Sequence, residues 1–338
     1  MLDLVFFASP IGLGHATRDV AVSQYLADVS KKFVSGNAAT NLIMQYGFDV
    51  EDLYRPPNFE IEDGHLKQPL KWLFRYYSYY RECKKISSQV LEKHSPNLVV
   101  SDEDFSSLVV SQEKGIKTVL LTDILETNFA KGVGSFIEKR MNKSMKGIIQ
   151  KCDLVIMPEN GKNEDNIIRV GPIVRKTLLS RNQLREKFSF NKKTIVVSIG
   201  GTDSGKFIIE KILEVFPKIN QDAELVIVSG PSFELKTLQA RNLGYVNNLH
   251  EVIFAADLII SLAGKSTIDE SKYYGTPGIF IPIKGHFEQE ENAKEIGYIY
   301  EDIFRLDKLI IEKINEKRNP QPFDGAKKAA DAIRELLV

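Results

Sequence analysis

A histidine follows a glycine turn near the start of the chain. Residues 9–15 hold Gly12, Gly14 and His15 between an apolar run and a helical pattern. Glycine permits a tight turn, and the N–H groups of a helix start favour a polar or anionic ligand. Because the unperturbed pKa of histidine is near neutrality, we expect His15 to be a neutral general base, with Asp102 as its orienting partner. The alternative is a histidine that only caps the helix.

A second glycine turn follows the apolar run 194–198. Residues 200–206, from Gly200 to Lys206, agree with the first seven positions of a P-loop, but Phe207 stands where Mg²⁺ binding would need Ser or Thr. We therefore expect the amides of this turn and the helix behind it to hold a pyrophosphate without a metal ion. A P-loop NTPase is the alternative.

Two further loops bring polar residues to helix starts. Ser266 and Thr267 follow a glycine and are expected to hold phosphate oxygens, and Glu270 lies one turn later, where a carboxylate can accept ribose hydroxyls. In the segment 282–293, donors and acceptors gather at another helix start, which suits a hydroxyl-rich ligand. Those residues are His286, Glu288, Gln289 and Asn292. Helix capping and a solvated helix start are the structural alternatives.

Three acidic residues follow the apolar run 98–101. Asp102, Glu103 and Asp104 spell the Asp-x-Asp triplet that holds a divalent metal in another class of transferase. We expect no metal here, since Asp102 is better explained as the partner of His15. Glu103 or Asp104 is expected to be a surface acid.

The elements that must position these residues alternate between strand and helix patterns. Strands are predicted at 4–8, 98–101, 118–121 and 154–157, and again at 194–198, 225–228, 258–261 and 278–281. Helices are predicted at 16–29, 70–93, 134–151, 206–216, 250–255, 266–274, 288–297 and 325–337. Such alternation predicts an α/β fold with parallel sheets.

The pattern starts twice, so two doubly wound, Rossmann-like domains are predicted, at 1–170 and 171–322, facing each other across a cleft. The hinge is placed at 169–175. The last helix, within 323–338, has no strand after it and is expected to pack back on the first domain.

Composition excludes several classes of function. Lys plus Arg and Asp plus Glu both number 45, so bulk nucleic-acid binding is not expected. Two cysteines form no disulfide or zinc pattern, and neither a signal peptide nor a spanning segment is evident, which indicates a cytoplasmic protein.

Bases and aromatics interleave in 67–81, and apolar residues recur beside bases in 134–151. These helices are expected to touch a membrane surface, or else to present ordinary solvated faces.

Together these motifs resemble glycosyltransferase family 28, the MurG-like enzymes of GT-B fold. The similar segments are 12–15, 171–175, 200–202, 245–249 and 288–293. The resemblance implies that Arg175 and Thr202 contact the donor phosphates, that 245–249 surrounds the uracil ring, that Glu270 binds the ribose and that Gln289 contacts the sugar. A similar arrangement occurs in the enzyme that adds the second N-acetylglucosamine to dolichol-linked chitobiose, and in archaeal relatives.

The residues thus expected at the donor site are Gly14, Arg175, Gly200, Gly201, Thr202, Val246, Leu249, Gly264, Lys265, Ser266, Thr267, Glu270, His286, Glu288, Gln289 and Asn292. The implied activity is an inverting, metal-independent transfer of N-acetylglucosamine from a UDP-sugar to a hydroxyl of a lipid-linked acceptor, with no cofactor. A UDP-N-acetylglucosamine 2-epimerase of the same fold is the alternative. The first loop lacks the doubled glycine of the family, and the chain after residue 30 is not closely similar, so the acceptor stays open.

Overall fold

The chain forms two compact units. A computed structural model describes residues 2–58, 60–127, 134–200, 203–219, 222–229 and 239–337. The first unit comprises Met1–Asn58, Gln68–Val174 and Phe323–Val338, and the second comprises Phe59–Lys67 and Arg175–Pro322. We expected the units to change after residue 170 and again after residue 322. The structure changes units between Val174 and Arg175, and it also assigns Phe59–Lys67 to the second unit.

The strands are short and rich in β-branched residues. In chain order they are β1 (Leu4–Ala8), β2 (Lys31–Ser35), β3 (Val50–Asp52), β4 (Glu60–Glu62), β5 (His65–Lys67), β6 (Leu98–Asp102), β7 (Lys117–Leu121), β8 (Leu154–Met157), β9 (Ile167–Arg169), β10 (Lys193–Ser198), β11 (Ala223–Val228), β12 (Arg241–Asn242), β13 (Leu258–Leu262) and β14 (Gly278–Ile281). The central strands β1, β6 and β13 are buried along their whole length, as expected for parallel strands that are covered on both faces.

The α-helices connect these strands. They are α1 (Gly14–Ser23), α2 (Asn37–Gln45), α3 (Pro69–His94), α4 (Phe105–Glu113), α5 (Gly134–Ile149), α6 (Arg181–Lys187), α7 (Lys206–Val215), α8 (Leu249–Ala255), α9 (Lys265–Tyr274), α10 (Phe287–Glu295), α11 (Leu306–Lys313) and α12 (Gly325–Leu337). Short 3₁₀ helices lie at Asp203–Gly205, Phe216–Lys218 and Tyr300–Arg305. Within the described ranges, no helix combines the length and the apolar composition that a membrane crossing needs.

Each unit is built on a parallel sheet. The first unit has seven strands in the order β3-β2-β1-β6-β7-β8-β9, and the second has five in the order β12-β11-β10-β13-β14. In both sheets the strand order reverses at the first strand of the unit, because later strands are added first on one side of it and then on the other. As a result, β1 lies next to β6 and β10 lies next to β13. Ligands of open α/β sheets bind beyond the carboxyl ends of the strands at such a reversal.

The last helix belongs to the first unit. Ala326, Ala329, Ala330 and Ile333 of α12 are buried in the core that α1 and β1 also form. Close approach at the helix start requires glycine, because a Cβ on Gly325 would lie 2.3 Å from the backbone oxygen of Gly171.

A two-stranded hairpin, β4–β5, belongs to the second unit although it precedes α3 in the chain. The Leu66 amide donates to the carbonyl oxygen of Lys284 at 3.0 Å, and the Lys284 amide donates to Gly64 at 2.8 Å. Ile61 and Leu66 pack against the core of that unit. This hairpin was not predicted from the sequence, since its strands are only three residues long.

The predicted helix at 16–29 is too long at its carboxyl end. Helix α1 ends at Ser23, and the amides of Tyr25 and Leu26 then bond to the carbonyl groups three residues earlier. Hydrogen bonds from residue i to residue i−3 tighten the chain into turns. The helical spacing of apolar residues extends into these turns, which is why the predicted helix was too long.

Candidate functional site

The first cluster of polar side chains lies at the carboxyl edge of the seven-stranded sheet. Strands β1, β6 and β7 are neighbours there, and all run parallel. The loop after β1 leads to His15 at the start of α1, β6 ends in Asp102 and Glu103 follows it, and Asp123 follows β7. The sheet therefore brings together residues that are about a hundred positions apart in sequence.

His15 and Asp102 are in contact. Nδ1 of His15 lies 2.8 Å from Oδ1 of Asp102, whose side chain is fully buried. Arg18, one helical turn after His15, donates from Nε to Oδ2 of the same carboxylate at 2.6 Å and from Nη2 to Oδ1. Burial opposes charge on Asp102, but the positive charges of Arg18 and His15 outweigh it and lower the pKa of Asp102.

The expectation of a neutral imidazole is wrong for this arrangement. Burial and the positive charge of Arg18 both disfavour a charged ring, yet the carboxyl groups of Asp102 and Glu103 outweigh them and raise the pKa of His15 to about 9. The prediction of a neutral ring rested on the unperturbed pKa of histidine, and Glu103 was not expected to lie beside the ring. His15 is therefore an imidazolium at neutral pH, and it must lose a proton before it can accept one.

Glu103 and Asp104 are not surface acids. The side chain of Glu103 is 16% exposed, and its Oε2 lies 3.8 Å from Nε2 of His15. Asp104 is buried and caps α4, where it accepts hydrogen bonds from the amides of Ser106 and Ser107. The hydroxyl of Tyr54 also donates to Oδ2 of Asp104, at 2.6 Å. The acidic triplet thus has three different sets of partners.

The second cluster lies at the carboxyl edge of the five-stranded sheet, after the neighbouring strands β10, β13 and β14. Gly200, two residues after β10, has φ +78, a conformation that favours glycine. Gly264 precedes α9, and no acidic residue lies in the first turn of that helix. Helix α10 differs, since its first turn contains Glu288 and Glu290. The start of α9 suits an anion, whereas the start of α10 suits hydroxyl groups.

Arg175 and Glu270 form a buried, two-point ion pair. Nε and Nη2 of Arg175 lie 2.8 and 3.2 Å from the two carboxylate oxygens, and the two side chains are 3% and 2% exposed. Nη1 donates to the carbonyl oxygen of Asn247 at 2.9 Å. We expected Arg175 to contact phosphate directly, but its guanidinium instead fixes Glu270 and the 245–249 loop. The phosphate role stays a prediction that would require this pair to open.

Several expected donor residues are also bonded within the second unit. Lys265 pairs with Asp269 on the same face of α9. Oε1 of Gln289 accepts the amide of Ile283 at 3.1 Å, and Asn292 donates to the carbonyl oxygen of Ala263 at 3.2 Å. These bonds connect α10 to the loop after β14 and to the loop after β13. The two side chains therefore help to fix both loops at the carboxyl edge of the sheet.

The remaining expected donor residues are distributed around the same unit. Val246 and Leu249 are partly buried against its core. Burial lowers the pKa of His286, which directly precedes α10. Gly201 and Thr202 lie outside the described residues.

Phe207, at the eighth P-loop position, packs its ring near that of Tyr300, with centroids 6.1 Å apart. That contact gives no support to a P-loop.

The two helices proposed for membrane contact are only partly exposed. On α3, Phe74 and Tyr77 are 74% and 64% exposed, and on α5 Phe136 is 74% exposed. Ile137, Met141 and Met145 recur every four residues in α5 and form its predicted apolar stripe. Met145 is buried, so that part of the stripe is core. Ile137, on the same stripe, lies outside the described side chains.

Sequence reasoning missed Arg18 and Asp123. Arg18 is three residues after His15, a spacing that places both on one helix face. Asp123 follows the predicted strand 118–121, as Asp102 follows its own strand. Both signals were present in the sequence, but only the strand order β1-β6-β7 shows that the residues meet.

Comparison with known proteins adds family information to this geometry. Residues 194–332 match the C-terminal domain of glycosyltransferase family 28. The chain is 24% identical over 220 residues to an uncharacterized glycosyltransferase of Methanopyrus kandleri, an alignment that spans 62% of this chain and 63% of that protein. It is 24% identical over 328 residues to a transferase of Caldicellulosiruptor saccharolyticus, covering 87% and 82% of the two chains. The latter is named UDP-N-acetylglucosamine–N-acetylmuramyl-(pentapeptide) pyrophosphoryl-undecaprenol N-acetylglucosamine transferase.

Solved structures share the fold. MurG of Acinetobacter baumannii superposes with a TM-score of 0.57 at 14% identity, covering 99% of this chain and 100% of that one. A Streptomyces glycosyltransferase complexed with thymidine diphosphate superposes with a TM-score of 0.63 at 12% identity, covering 99% and 96%. These likenesses confirm the predicted α/β fold of two Rossmann-like domains.

Proposed function

Since the chain is a MurG-like glycosyltransferase of family 28 with the GT-B fold, we propose that it transfers N-acetylglucosamine from a UDP-sugar to a hydroxyl of a lipid-linked acceptor. The transfer inverts the anomeric carbon and uses no metal ion. The contact between His15 and Asp102 is the observation on which the proposed chemistry rests.

The second unit is proposed to bind the donor. Helix α9 directs the N–H groups of its first turn, around Ser266 and Thr267, to the carboxyl edge of the sheet, where the partial positive charge of a helix start attracts phosphate. Glu270, fixed by Arg175, is proposed to accept the ribose hydroxyls. The sugar would then lie toward the start of α10, with Gln289 beside it. The nucleoside diphosphate in the Streptomyces structure and the nucleotide in the name of the Caldicellulosiruptor relative support a donor of this class.

The first unit is proposed to activate the acceptor. Asp102 holds Nδ1 of His15 and therefore directs Nε2 away from the carboxylate, toward the incoming hydroxyl. Once neutral, His15 accepts the hydroxyl proton as the acceptor oxygen attacks the anomeric carbon on the face opposite the leaving diphosphate. Backbone N–H groups at the start of α9 stabilise the charge that develops on that diphosphate, which removes the need for a cation.

A lipid-linked acceptor would place the protein on the cytoplasmic face of a membrane. Exposed Phe74 and Tyr77 on α3 lie in a segment that also contains Lys71, Arg75 and Arg81. Aromatic rings beside bases are typical of helices that lie in the interface of an anionic membrane. These side chains are the proposed contact.

The proposal is tested by incubating the protein with UDP-N-acetylglucosamine and lipid-linked saccharide acceptors, with and without EDTA, and analysing the products by mass spectrometry. We expect one added N-acetylhexosamine and release of UDP, unchanged by EDTA. With the donor alone, an epimerised sugar would instead support the 2-epimerase.

The His15→Ala variant tests the chemistry. Loss of the base should reduce kcat by about 10²–10⁴-fold while UDP binding, measured by calorimetry, stays the same. His94→Ala is the matched control, since His94 pairs with Glu51 at the far end of α3. Equal turnover of His15→Ala and wild type would reject His15 as the base.

A further inference from the structure

The β4–β5 hairpin lies on the second unit, although its sequence interrupts the first. The chain leaves the first unit after Asn58 and returns to it at Gln68. Between these points the hairpin pairs Ile61 with Leu66, and both side chains pack against the core of the second unit. Two short strands are only marginally stable by themselves in water. The surface on which the hairpin lies must therefore hold it in place.

One edge of the hairpin is bonded to the loop 283–286, which follows β14. The Leu66 amide donates to the carbonyl oxygen of Lys284 at 3.0 Å, and the Lys284 amide donates to that of Gly64 at 2.8 Å. The two bonds make a parallel bridge between His65 and Lys284. Because both bonds join main-chain groups, they fix the path of the loop backbone rather than one side chain.

The tip of the hairpin is closely packed. Gly64 has φ +73, and a Cβ there would lie 2.8 Å from the ring of Tyr300 and 3.0 Å from that of Phe207. The Tyr300 hydroxyl donates to the carbonyl oxygen of Asp63 at 2.8 Å, and its ring centroid lies 5.0 Å from that of His65. Backbone conformation and space therefore both require glycine at position 64.

The four amides of the loop 283–286 all have acceptors. In chain order these acceptors are the side chain of Gln289 at 3.1 Å, the carbonyl group of Gly64 at 2.8 Å, the side chain of Glu290 at 2.9 Å and the carbonyl group of Ile283 at 3.0 Å. Three of them belong to the loop or to α10, and the fourth belongs to the hairpin. The hairpin therefore completes the main-chain hydrogen bonding of this loop.

Gln289 links the loop to the proposed sugar site. Its Oε1 accepts the Ile283 amide, and this bond orients the side-chain amide. The two hydrogens of Nε2 suit the oxygen atoms of a sugar. If the loop moves, the Ile283 amide moves with it and Gln289 loses this orientation. A side chain that must meet a ligand at hydrogen-bond distance depends on such support.

We propose that the β4–β5 hairpin is a positioning element of the donor site, which holds the loop 283–286 so that Gln289 contacts the sugar and thereby selects the sugar of the donor. None of the hydrogen bonds described above reaches α9 or Glu270, where the nucleotide is proposed to bind. The hairpin therefore affects recognition of the sugar and leaves that of the nucleoside diphosphate unchanged. This inference rests on the proposed function of the second unit as the donor site.

The test compares the binding of UDP and of UDP-N-acetylglucosamine to the full chain by calorimetry. In Gly64→Val, the added side chain meets the rings of Tyr300 and Phe207 and displaces the hairpin tip from the loop. The Kd for UDP-N-acetylglucosamine should rise by about tenfold, the effect of losing one ordered polar contact, while the Kd for UDP stays within about twofold of wild type. An equal change in both constants, or no change in either, overturns the proposal.

Gly297→Val is the matched control. Gly297 also has a positive φ, +82, but nothing lies within 4 Å of its Cβ position, so the variant adds backbone strain without a clash at the hairpin. Both Kd values should equal those of wild type, and the tenfold shift in this control would overturn the proposal. If Gly64→Val does not fold, Tyr300→Phe removes the bond to Asp63 and should raise the Kd for UDP-N-acetylglucosamine alone, by about threefold. Unchanged constants in that folded variant would count equally against the hairpin.

Hydrogen exchange reports the hairpin contact without a ligand. Peptides that cover 283–286, followed by mass spectrometry, should exchange faster in Gly64→Val than in wild type or in Gly297→Val. Faster exchange with an unchanged ratio of the two Kd values means that the hairpin only stabilises the loop, and exchange at the wild-type rate means that it does not hold the loop. Both outcomes overturn the proposal. A wild-type protein that binds neither ligand contradicts the proposed function itself, and this inference falls with it.

Discussion

Breaking the Arg175–Glu270 pair should separate stability from nucleotide binding. The Glu270→Gln variant leaves a guanidinium that is 3% exposed without its carboxylate, although the bond to Asn247 stays. Removing one member of a buried pair costs about 3–5 kcal/mol, because the remaining charge is desolvated without compensation. At a urea slope of about 2 kcal/mol per M, the unfolding midpoint of the second unit falls by about 2 M.

The double variant Arg175→Met, Glu270→Leu provides the comparison. It removes both charges and keeps apolar volume, and such replacements are often neutral or stabilising by about 1–4 kcal/mol. The urea midpoint, followed by circular dichroism, should therefore return to the wild-type value or exceed it. UDP binding by calorimetry should still be lost, since Glu270 is the proposed ribose ligand.

Exposed pairs provide the control for the urea measurement. Glu214 and Lys218 lie 3.3 Å apart on the surface, and Glu214→Gln should leave the midpoint unchanged. A Glu270→Gln midpoint equal to that of this control would refute the reasoning, because it would mean that Arg175 finds solvent or another anion. UDP binding that survives in the double variant would refute the ribose role alone.

Three further predictions concern the first unit. The folded-state pKa of His15 is raised from 6.5 to about 9, so its stabilisation is complete below pH 6.5 and is lost as pH rises through 9. The urea-derived free energy of unfolding should fall by about 3 kcal/mol over that range, and His15→Gln should remove this slope. Ile333→Ala empties a fully buried site beneath α12 and should cost about 2–5 kcal/mol in the same assay. Phe74→Ser should reduce sedimentation with anionic liposomes without changing the thermal midpoint, and unchanged sedimentation would exclude α3 from the membrane contact.

Periodicity predicted most of the sheet strands that line the two clusters. The strands Leu154–Met157 and Gly278–Ile281 were predicted with the bounds that the structure gives them. Runs of β-branched residues are unambiguous where both faces of a parallel strand are buried. Strands β2 and β3 were missed because β2 begins with two lysines and β3 is three residues long. Their side chains follow no clear pattern of burial.

The residue types indicated which loops contain the candidate site residues. They did not indicate which side chains those residues contact in the fold. His15 and Asp102 were paired in advance because each follows a strand, whereas Arg18 and Asp123 were not considered. Arg175 and Glu270 were assigned separately to phosphate and ribose, although the fold places them in one ion pair.

The sequence by itself determined the α/β class and the positions of the glycine turns, because these depend on local spacing. Tertiary structure decided the charge on His15. Its pKa is the balance of burial against Asp102 and Glu103, which are close to His15 only because β6 lies beside β1. Coulomb energy depends on distance in space and on the surrounding dielectric, and neither is written in the order of residues.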